Sequence, residues 1–373
     1  MLDMGMLPVL VRARLVALLP SWPCWAAMPI VVGLTMLAEH TVFWESPDTP
    51  SFRTASAAAD TLGQMRLPFY GWLLSGGDAV GLNAFAYTAM QVGCFGSGMA
   101  ALMAALRRAG VGPAGVFGTG TALAVSDLVL LWGNCALPEM LAHAALLAAM
   151  AAALQMGSAT RGGGGMAVLA TGACSIAWLL KPAFLLFPIS LPLLVLHRPG
   201  RRRWALLLLI ILLTGPLALS ALRTGRGDGF RPVSFGGFQM AGLAGLMLDD
   251  DLVARLPPSQ QQSAHMVLDR RNQLVSTGLM SGIPRNSSGV RSFVSVAVFY
   301  FDILARDYDV LLWKGIRPLQ SSDETWPDFD TRMQKLAMET VMAAPIRYAA
   351  WVIGASSRLV GQSLVLNPAM ILA

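Results

Sequence analysis

The chain has 373 residues, of which 55% are hydrophobic and 13% are charged. A soluble globular domain carries about 25% charged residues, so this composition excludes an ordinary soluble protein. The net charge of +6 does not indicate nucleic-acid binding, because much of the basic excess lies in short loops beside apolar runs. The cysteines stand singly in apolar segments, and we interpret them as small buried hydrophobic residues.

Long apolar runs predict an all-α, polytopic bundle of transmembrane helices. A span needs about 20 mostly apolar residues to cross about 30 Å of hydrocarbon, and its backbone amides must be satisfied within the segment, which favours helices. About eight runs occur, near 22–37, 83–106, 111–132, 138–157, 166–181, 183–197, 204–222 and 341–366. The two runs beside Lys181-Pro182 are short and predict a broken or partly inserted hairpin. No small-residue cleavage site follows the first run, so we expect an uncleaved helix there.

Basic residues in the short loops predict which side of the membrane each loop faces. The arginines fall on one side of an alternating topology: Arg12, Arg14, Arg107, Arg108, Arg161, Arg198, Arg201, Arg202 and Arg203. The positive-inside rule makes that side, and the N-terminus, cytoplasmic. The first loop, 44–82, then lies on the outer side. The sequence predicts a transmembrane region over 1–222, an outer-face helical region over 223–340 and a final span over 341–373.

The first outer loop carries the most informative motifs. It contains Pro47-Asp48-Thr49, with Phe52 one helical turn later, and then Arg66-Leu67-Pro68-Phe69-Tyr70 ahead of an amphipathic aromatic segment. These residues resemble GT-C glycosyltransferases, including protein O-mannosyltransferases and aminoarabinose transferases. Members of that class place an acidic residue just after the first span, then a helix, then a motif resembling R-x-P-x-Y.

Three further features fit the same pattern more loosely, so the resemblance covers most of the chain. Pro138-Glu139 opens the fourth span from outside, Lys181-Pro182 stands where relatives often carry Arg-Pro, and 330–351 is an amphipathic approach to a late span. Two features differ from the class. Phe52 stands where many relatives have a tyrosine four positions after the acidic residue, and GT-C enzymes commonly have more spans, so we expect the chain to be short or incomplete after Ala373.

The resemblance implies an integral membrane glycosyltransferase in a bacterial inner membrane. It would move a sugar from a polyprenyl-phosphate donor to a lipid, glycan or protein acceptor on the periplasmic face, with inversion. Asp48 would act as general base, since a carboxylate in a partly dry cavity can take a proton from the acceptor. Arg66 and Lys181 would hold the leaving phosphate electrostatically. The residues expected near the same cavity are Glu45, Tyr70, Asp127, Glu139 and His143.

Each of these residues also has a structural interpretation. Asp48 can start a turn or cap a helix, and Arg66 and Lys181 can extend to lipid headgroups. Tyr70 is typical of an interfacial anchor. Asp127, deep in the third span, can be a neutral or hydrogen-bonded polar group.

Glu139 and His143 stand four residues apart on one helix face and can pair with each other. Glu45 and Asp48 together can hold a divalent metal, although the sequence assigns no cofactor with certainty.

Two other classes of function remain open. A lipid or glycan transporter or flippase would have interrupted spans meeting at mid-membrane, and the break at Lys181-Pro182 is of that kind, without a matching break in the other half. A noncatalytic assembly subunit is compatible with fewer spans than a GT-C enzyme has. The acidic first loop and the large outer segment favour the enzyme, whose expected partners are the lipid-linked donor and membrane lipids, with no nucleic acid.

Overall fold

The computed structural model describes residues 45–46, 48–124, 135–158, 163–196, 202–281 and 307–353. Over these ranges the regular structure is entirely helical, which confirms the predicted all-α class. The chain divides into two compact units, Met1–Pro232 and Val233–Ala373. Asp127 and the predicted span at 22–37 lie outside the described residues.

The first unit contributes eight described α-helices. They are α1 (Thr49–Ala57), α2 (Phe69–Ala79), α3 (Ala84–Arg108), α4 (Pro113–Ala124), α5 (Glu139–Ser158), α6 (Gly163–Leu180), α7 (Phe187–Leu196) and α8 (Arg202–Gly225). A 3₁₀ turn, Pro182–Leu186, joins α6 to α7. The long helix α3 has favourable ends, because the Asn83 side chain accepts a hydrogen bond from Ala86 N at 2.9 Å and two arginines lie in its last turn. Cations there interact favourably with the helix dipole.

Three of the described helices are long and apolar enough to cross a membrane. They are α3, residues Glu139–Met156 of α5, and α8. The apolar part of α6 is shorter, and α7 has 10 residues, which rise about 15 Å against a hydrocarbon core of about 30 Å. The predicted presence of membrane-spanning helices is therefore supported for three of them, and the total of about eight stays a prediction.

Helices α3 and α5 run parallel, side by side. At one end, Arg108 Nη1 donates a hydrogen bond to Gln155 Oε1 at 2.7 Å. Near the other end, Gln91 Nε2 donates to the carbonyl oxygen of Cys135, just before α5, at 2.9 Å. Gly98 lies between these contacts, and a Cβ atom there would come within 2.6 Å of a backbone oxygen of α5. A small residue is what allows two membrane helices to approach this closely.

The remaining long helices place the arginines of the predicted short loops at one end of the first unit. Trp204, at the start of α8, lies near Gly164, at the start of α6. Because only a short connection separates the end of α5 from the start of α6, this is also the end where α3 and α5 finish. The described arginines collected there are Arg107, Arg108, Arg202 and Arg203. Their common location agrees with the predicted alternating topology, and the side of the membrane that they face stays a prediction.

At the opposite end of the first unit, the helices of the first loop pack on the bundle. Side chains of α1 and α2 join the ends of α3, α5 and α6 in one buried cluster, which includes Phe52, Tyr70, Leu74, Tyr87, Leu137, Leu141 and Leu180. The first loop is thus a packed part of the bundle, not a free connection between spans.

The second unit has a helical core of its own. Its described helices are α9 (Gly236–Met247), α10 (Asp250–Arg255), α11 (Pro258–Ser276) and α12 (Trp326–Ala343), with a short irregular helical stretch over 308–319. Helix α9 approaches α12 closely because a Cβ atom at Gly237 would lie 2.0 Å from the carbonyl oxygen of Asp330. The ring of Phe238 meets the rings of Trp313 and Trp326, each with centroids 5.3 Å apart.

The last apolar run differs from its prediction. The sequence places the start of a span near 341, but α12 begins at Trp326 and continues to Ala343. The chain then leaves helical geometry at Ala344, with φ −139° and ψ 56°, and residues 345–353 form a new helix. The break falls immediately before Pro345, where the proline ring disfavours helical geometry in the preceding residue.

Candidate active site

Asp48 lies immediately before α1, and its side chain faces Arg66. Asp48 Oδ2 is 2.9 Å from Arg66 Nη2. The Asp48 side chain makes no capping hydrogen bond to the described first turn of α1, so the capping interpretation is not supported. Its side chain is 42% exposed and that of Arg66 is 19% exposed. The carboxylate therefore remains accessible from solvent, whereas the guanidinium is mostly covered.

The Arg66 side chain is turned inward, onto the ring of Phe52, which follows Asp48 by one helical turn. Its guanidinium carbon lies 5.0 Å from the centroid of the Phe52 ring, a distance at which cation–π attraction operates. The Phe52 ring is itself held in place, since it meets Tyr70 edge-on with centroids 5.4 Å apart. A side chain that reached for lipid headgroups would not be held in this way. Phe52 thus links the candidate cation to the buried core.

Tyr70 lies in that core, not at a lipid-facing surface as an interfacial anchor would. Its side chain is buried between α1 and the bundle. Burial raises the pKa of the Tyr70 hydroxyl well above its ordinary range, because the charged phenolate is poorly solvated there. Tyr70 therefore supports the site through packing and stays neutral.

A short segment before α5 connects the first loop to the bundle. Thr49 Oγ1, in α1, donates a hydrogen bond to the carbonyl oxygen of Ala136 at 2.8 Å. Thr49 directly follows Asp48, and Ala136 precedes Glu139 by three residues. This hydrogen bond therefore brings the first loop beside the start of α5, although the two segments are far apart in sequence.

Glu139, the first residue of α5, forms a second pair of opposite charges with Lys181. Lys181 Nζ lies 2.8 Å from Glu139 Oε1, and both side chains are mostly covered. The other carboxylate oxygen, Oε2, is buried and has no hydrogen-bond partner among the residues that the structure describes. Lys181 stands at the junction between α6 and the following 3₁₀ turn. Its ammonium group is directed to Glu139 and not outward to headgroups.

His143 belongs to the same helix face but does not pair with the Glu139 carboxylate. Its ring nitrogen Nδ1 lies 2.7 Å from the backbone carbonyl oxygen of Glu139, so this nitrogen is the donor. The ring also meets Phe184 edge-on, with centroids 4.9 Å apart. The interpretation in which the two side chains form a pair is wrong, because Lys181 takes that position.

Glu45 is held by an arginine that the sequence analysis did not single out. Arg53 Nη2 lies 3.0 Å from Glu45 Oε1, and Arg53 Nη1 lies 2.5 Å from Asp78 Oδ2. The Tyr87 hydroxyl is 2.9 Å from Asp78 Oδ1. Glu45 and Asp48 thus each pair with a different arginine.

Contacts between opposite charges shift the pKa values of Arg53 and Asp78. The guanidinium of Arg53 lowers the pKa of the Asp78 carboxyl, and the hydrogen bond from Tyr87 acts in the same direction. The two carboxylates, Asp78 first, raise the pKa of Arg53. Arg53 and Asp78 therefore stay ionised over the physiological range, and the contacts of Asp78 with Arg53 and Tyr87 tie α1, α2 and α3 together.

The loop that carries Arg66 is attached to α8 as well. Arg226 forms an ion pair with Asp60, and Arg223 Nη2 lies 3.4 Å from the carbonyl oxygen of Gln64. The side chain of Asp60 has a lowered pKa, mainly because of Arg226. Arg66 is thus positioned in part by contacts of the residues that precede it in the sequence.

The structure therefore brings most of the predicted site residues to one end of the first unit. Asp48 pairs with Arg66, Glu139 pairs with Lys181, and the hydrogen bond from Thr49 to Ala136 joins the segments that carry the two pairs. Within the described ranges, no group of three or more His, Cys, Asp or Glu side chains is placed to hold a metal ion. Comparison of the chain with protein-family models, curated proteins and solved structures finds no match.

Proposed function

We propose that the chain is a membrane glycosyltransferase that takes its sugar from a polyprenyl-phosphate donor. Two carboxylate–cation contacts support this proposal, Asp48 with Arg66 and Glu139 with Lys181. Both lie at the end of the membrane helices opposite the short-loop arginines. Sugar transfer from a lipid phosphate needs both kinds of group, a carboxylate to accept a proton and cations to hold the leaving phosphate.

The reaction needs little covalent chemistry from the protein. The acceptor hydroxyl gives its proton to the Asp48 carboxylate while its oxygen forms a bond to the anomeric carbon of the sugar. The bond from that carbon to the phosphate oxygen breaks, and the polyprenyl phosphate leaves with the electron pair. Attack opposite to the leaving group inverts the anomeric centre. Arg66 and Lys181 stabilise the phosphate charge throughout, as positioned cations do in other sites with developing negative charge.

The location suits a substrate that is half lipid and half polar. The donor's polyprenyl chain lies in the hydrocarbon and its phosphate lies at headgroup level. The proposed cations stand at an end of the apolar helices, where such a phosphate arrives. With the short-loop arginines Arg107, Arg108, Arg202 and Arg203 in the cytoplasm, this end is periplasmic, and the membrane is the inner membrane of a bacterium. The acceptor is a lipid, a glycan or a protein.

Sugar transfer by reconstituted protein tests this proposal. Wild type, Asp48→Asn and Glu324→Gln are compared for transfer from polyprenyl-phosphate sugars to a crude lipid and glycan extract. Glu324→Gln is the control, because Glu324 is also a carboxylate paired with an arginine, Arg332, but it belongs to the second unit and is assigned no chemical role. We expect transfer by wild type and Glu324→Gln and loss of transfer in Asp48→Asn.

Two results would contradict the proposal. Equal transfer by wild type and Asp48→Asn would remove Asp48 from the chemistry. Wild-type protein that transfers no sugar from any donor, yet moves labelled lipid or glycan across the vesicle membrane, would favour the transporter class instead.

A further inference from the structure

The outward side of α12 changes character along the helix. Its inward side packs in the core of the second unit, mainly through the apolar residues Phe329, Met333, Leu336 and Ala337, with Asp330 and Thr340 also buried there. On the outward side, the exposed residues of the first turns are polar and include Gln334 and Lys335. In the last turns the exposed residues are Met338 and Met342. A helix surrounded only by water has no reason to change from polar to apolar in this way.

The apolar surface continues after the break at Ala344. Ile346 and Ile353 are both exposed in the helix over 345–353, and Ile346 is 72% exposed, close to the 71% of Met342. We call Met338, Met342, Ile346 and Ile353 the apolar ridge. Single exposed apolar side chains are ordinary on protein surfaces, but a run of them along consecutive helical turns marks an interaction surface.

Beyond Glu339, which is half-exposed beside Met338, charge is kept away from the apolar ridge. From Thr340 to Ile353 the sequence contains one charged residue, Arg347. Its guanidinium is directed back into the second unit, with Nη1 2.7 Å from Asp249 Oδ2 and 3.0 Å from the carbonyl oxygen of Met247. The positive charge is thus neutralised within the unit, and the exposed surface beside it is left without a charge of its own.

Two aromatic side chains complete this surface. The rings of Tyr348 and Trp351 stack with centroids 5.9 Å apart, and both residues are partly exposed. Tyrosine and tryptophan are enriched where the hydrocarbon of a membrane meets its polar headgroups, because each has an apolar ring and one polar group. The pair lies in the same short helix as Ile346 and Ile353.

We propose that the apolar ridge docks on lipid at the surface of the bilayer. The last turns of α12 and the helix over 345–353 lie in the interface, and the polar first half of α12 stays in water. Lipid is the occupant that accounts for the change along α12, the neutralised Arg347 and the aromatic pair together. The proposal does not depend on the glycosyltransferase chemistry, since it concerns only the second unit.

Depth-dependent fluorescence quenching tests this docking. A genetically encoded fluorescent amino acid is placed at Met338 or Met342 and, as matched controls on the same helix, at Gln334 or Lys335. Each full-length protein is reconstituted in lipid nanodiscs, one chain to a disc. Quenching by lipids with brominated acyl chains is compared with quenching by iodide in the water. We expect brominated lipid to quench the probes at Met338 and Met342, iodide to quench those at Gln334 and Lys335, and little quenching in the reverse combinations.

Two outcomes would overturn the proposal. Iodide quenching at Met342 as strong as at Lys335 would mean that the apolar ridge is in water. Protection from both quenchers would mean that protein covers it, either another part of this chain or a second copy. A second copy would be recognised because protection would then require two chains in a disc. Ile346 is a second probe position if a probe at Met342 prevents folding.

Discussion

Arg66 Nη2 lies 2.9 Å from Asp48 Oδ2, so the proposed phosphate ligand and the proposed base neutralise each other in the protein without substrate. A donor phosphate that binds Arg66 must compete with this carboxylate. In the proposed reaction, binding of the donor would draw the guanidinium towards the phosphate and leave Asp48 available for the acceptor hydroxyl. The pair would thus couple the arrival of the donor to the release of the base.

This competition predicts that Asp48→Asn binds the donor more tightly while it loses transfer activity. Removal of the carboxylate frees Arg66 from a partly exposed ion pair, and such pairs contribute up to about 1 kcal/mol, so we expect roughly two- to fivefold tighter binding of polyprenyl phosphate. Equilibrium binding of a fluorescent polyprenyl phosphate to protein in detergent measures this change. Glu324→Gln, which removes an arginine-paired carboxylate of the second unit, should bind like wild type, and weaker binding by Asp48→Asn would contradict the competition.

The aromatic support of Arg66 gives a second prediction. Phe52→Ala removes a buried ring from the core of the first loop and should lower the free energy of unfolding by about 3 kcal/mol. Phe52→Leu fills most of the space but removes the cation–π contact and the edge-on contact with Tyr70. We expect this variant to stay folded and to bind polyprenyl phosphate less tightly, because Arg66 is no longer held in place. Thermal unfolding and the binding assay separate the two effects, and unchanged binding in Phe52→Leu would exclude a positioning role for the ring.

The contact between Glu139 and Lys181 predicts that the stability lost on replacing one residue depends strongly on whether the other is present. Lys181→Met leaves a mostly covered carboxylate without its cation and should cost about 1–3 kcal/mol in stability. The double variant Lys181→Met with Glu139→Gln should recover much of that loss, because removal of both charges leaves none unpaired. Thermal unfolding of the two single variants and the double variant completes a double-mutant cycle. Additive losses would mean that the pair contributes no coupling.

A difference between two glycines of α3 tests the close approach of α3 and α5. A Cβ atom at Gly98 would lie 2.6 Å from the carbonyl oxygen of Ala144, whereas one at Gly93 would meet no atom within 4 Å among the contacts described. Replacing glycine with alanine in a helix interior otherwise stabilises by about 0.5–1 kcal/mol. Gly93→Ala should therefore raise the unfolding temperature and Gly98→Ala should lower it. Equal shifts of the same sign would show that the two helices do not meet at Gly98.

The ion pair of Asp78 with Arg53 predicts a pH dependence of stability. The folded protein lowers the pKa of Asp78, so the pair contributes stability above the ordinary carboxyl pKa of about 3.9. That contribution is lost as the pH falls through the lower, folded-state pKa. Wild type should exceed Asp78→Asn in unfolding temperature near neutral pH, and the difference should vanish in strong acid. The side chain of Asp78 is 46% exposed, so high salt should also reduce the difference.

Several features of this structure follow from the sequence because they depend on local composition. The apolar runs near 83–106, 138–157 and 204–222 correspond to α3, α5 and α8, since length and hydropathy alone make a helix able to cross a membrane. The short runs on either side of Lys181-Pro182 correspond to α6 and α7, which the proline separates. The short-loop arginines lie at one end of the bundle because successive helices alternate in direction.

Features that depend on the path of the chain could not be predicted in the same way. The sequence indicates an interfacial position for Tyr70. However, Gly71 beside it lets α2 approach α1 closely, since a Cβ atom at Gly71 would lie 2.1 Å from the carbonyl oxygen of Phe52. That approach turns Tyr70 into the core. Arg53 and Asp78 carry no motif, and only the fold brings them together. The partners of Asp48 and Glu139 are likewise set by tertiary contacts between distant segments.

The attachment of the first loop to α8 has a mechanical consequence. Arg226 holds Asp60 and Arg223 contacts Gln64, two residues before Arg66. The far side of α8 presents leucine and isoleucine side chains outward along much of its length. We therefore expect a tilt or axial shift of α8, such as a change in bilayer thickness imposes on a spanning helix, to displace the loop that carries Arg66. The separation of Arg66 from Asp48 would then respond to the thickness of the membrane around the protein.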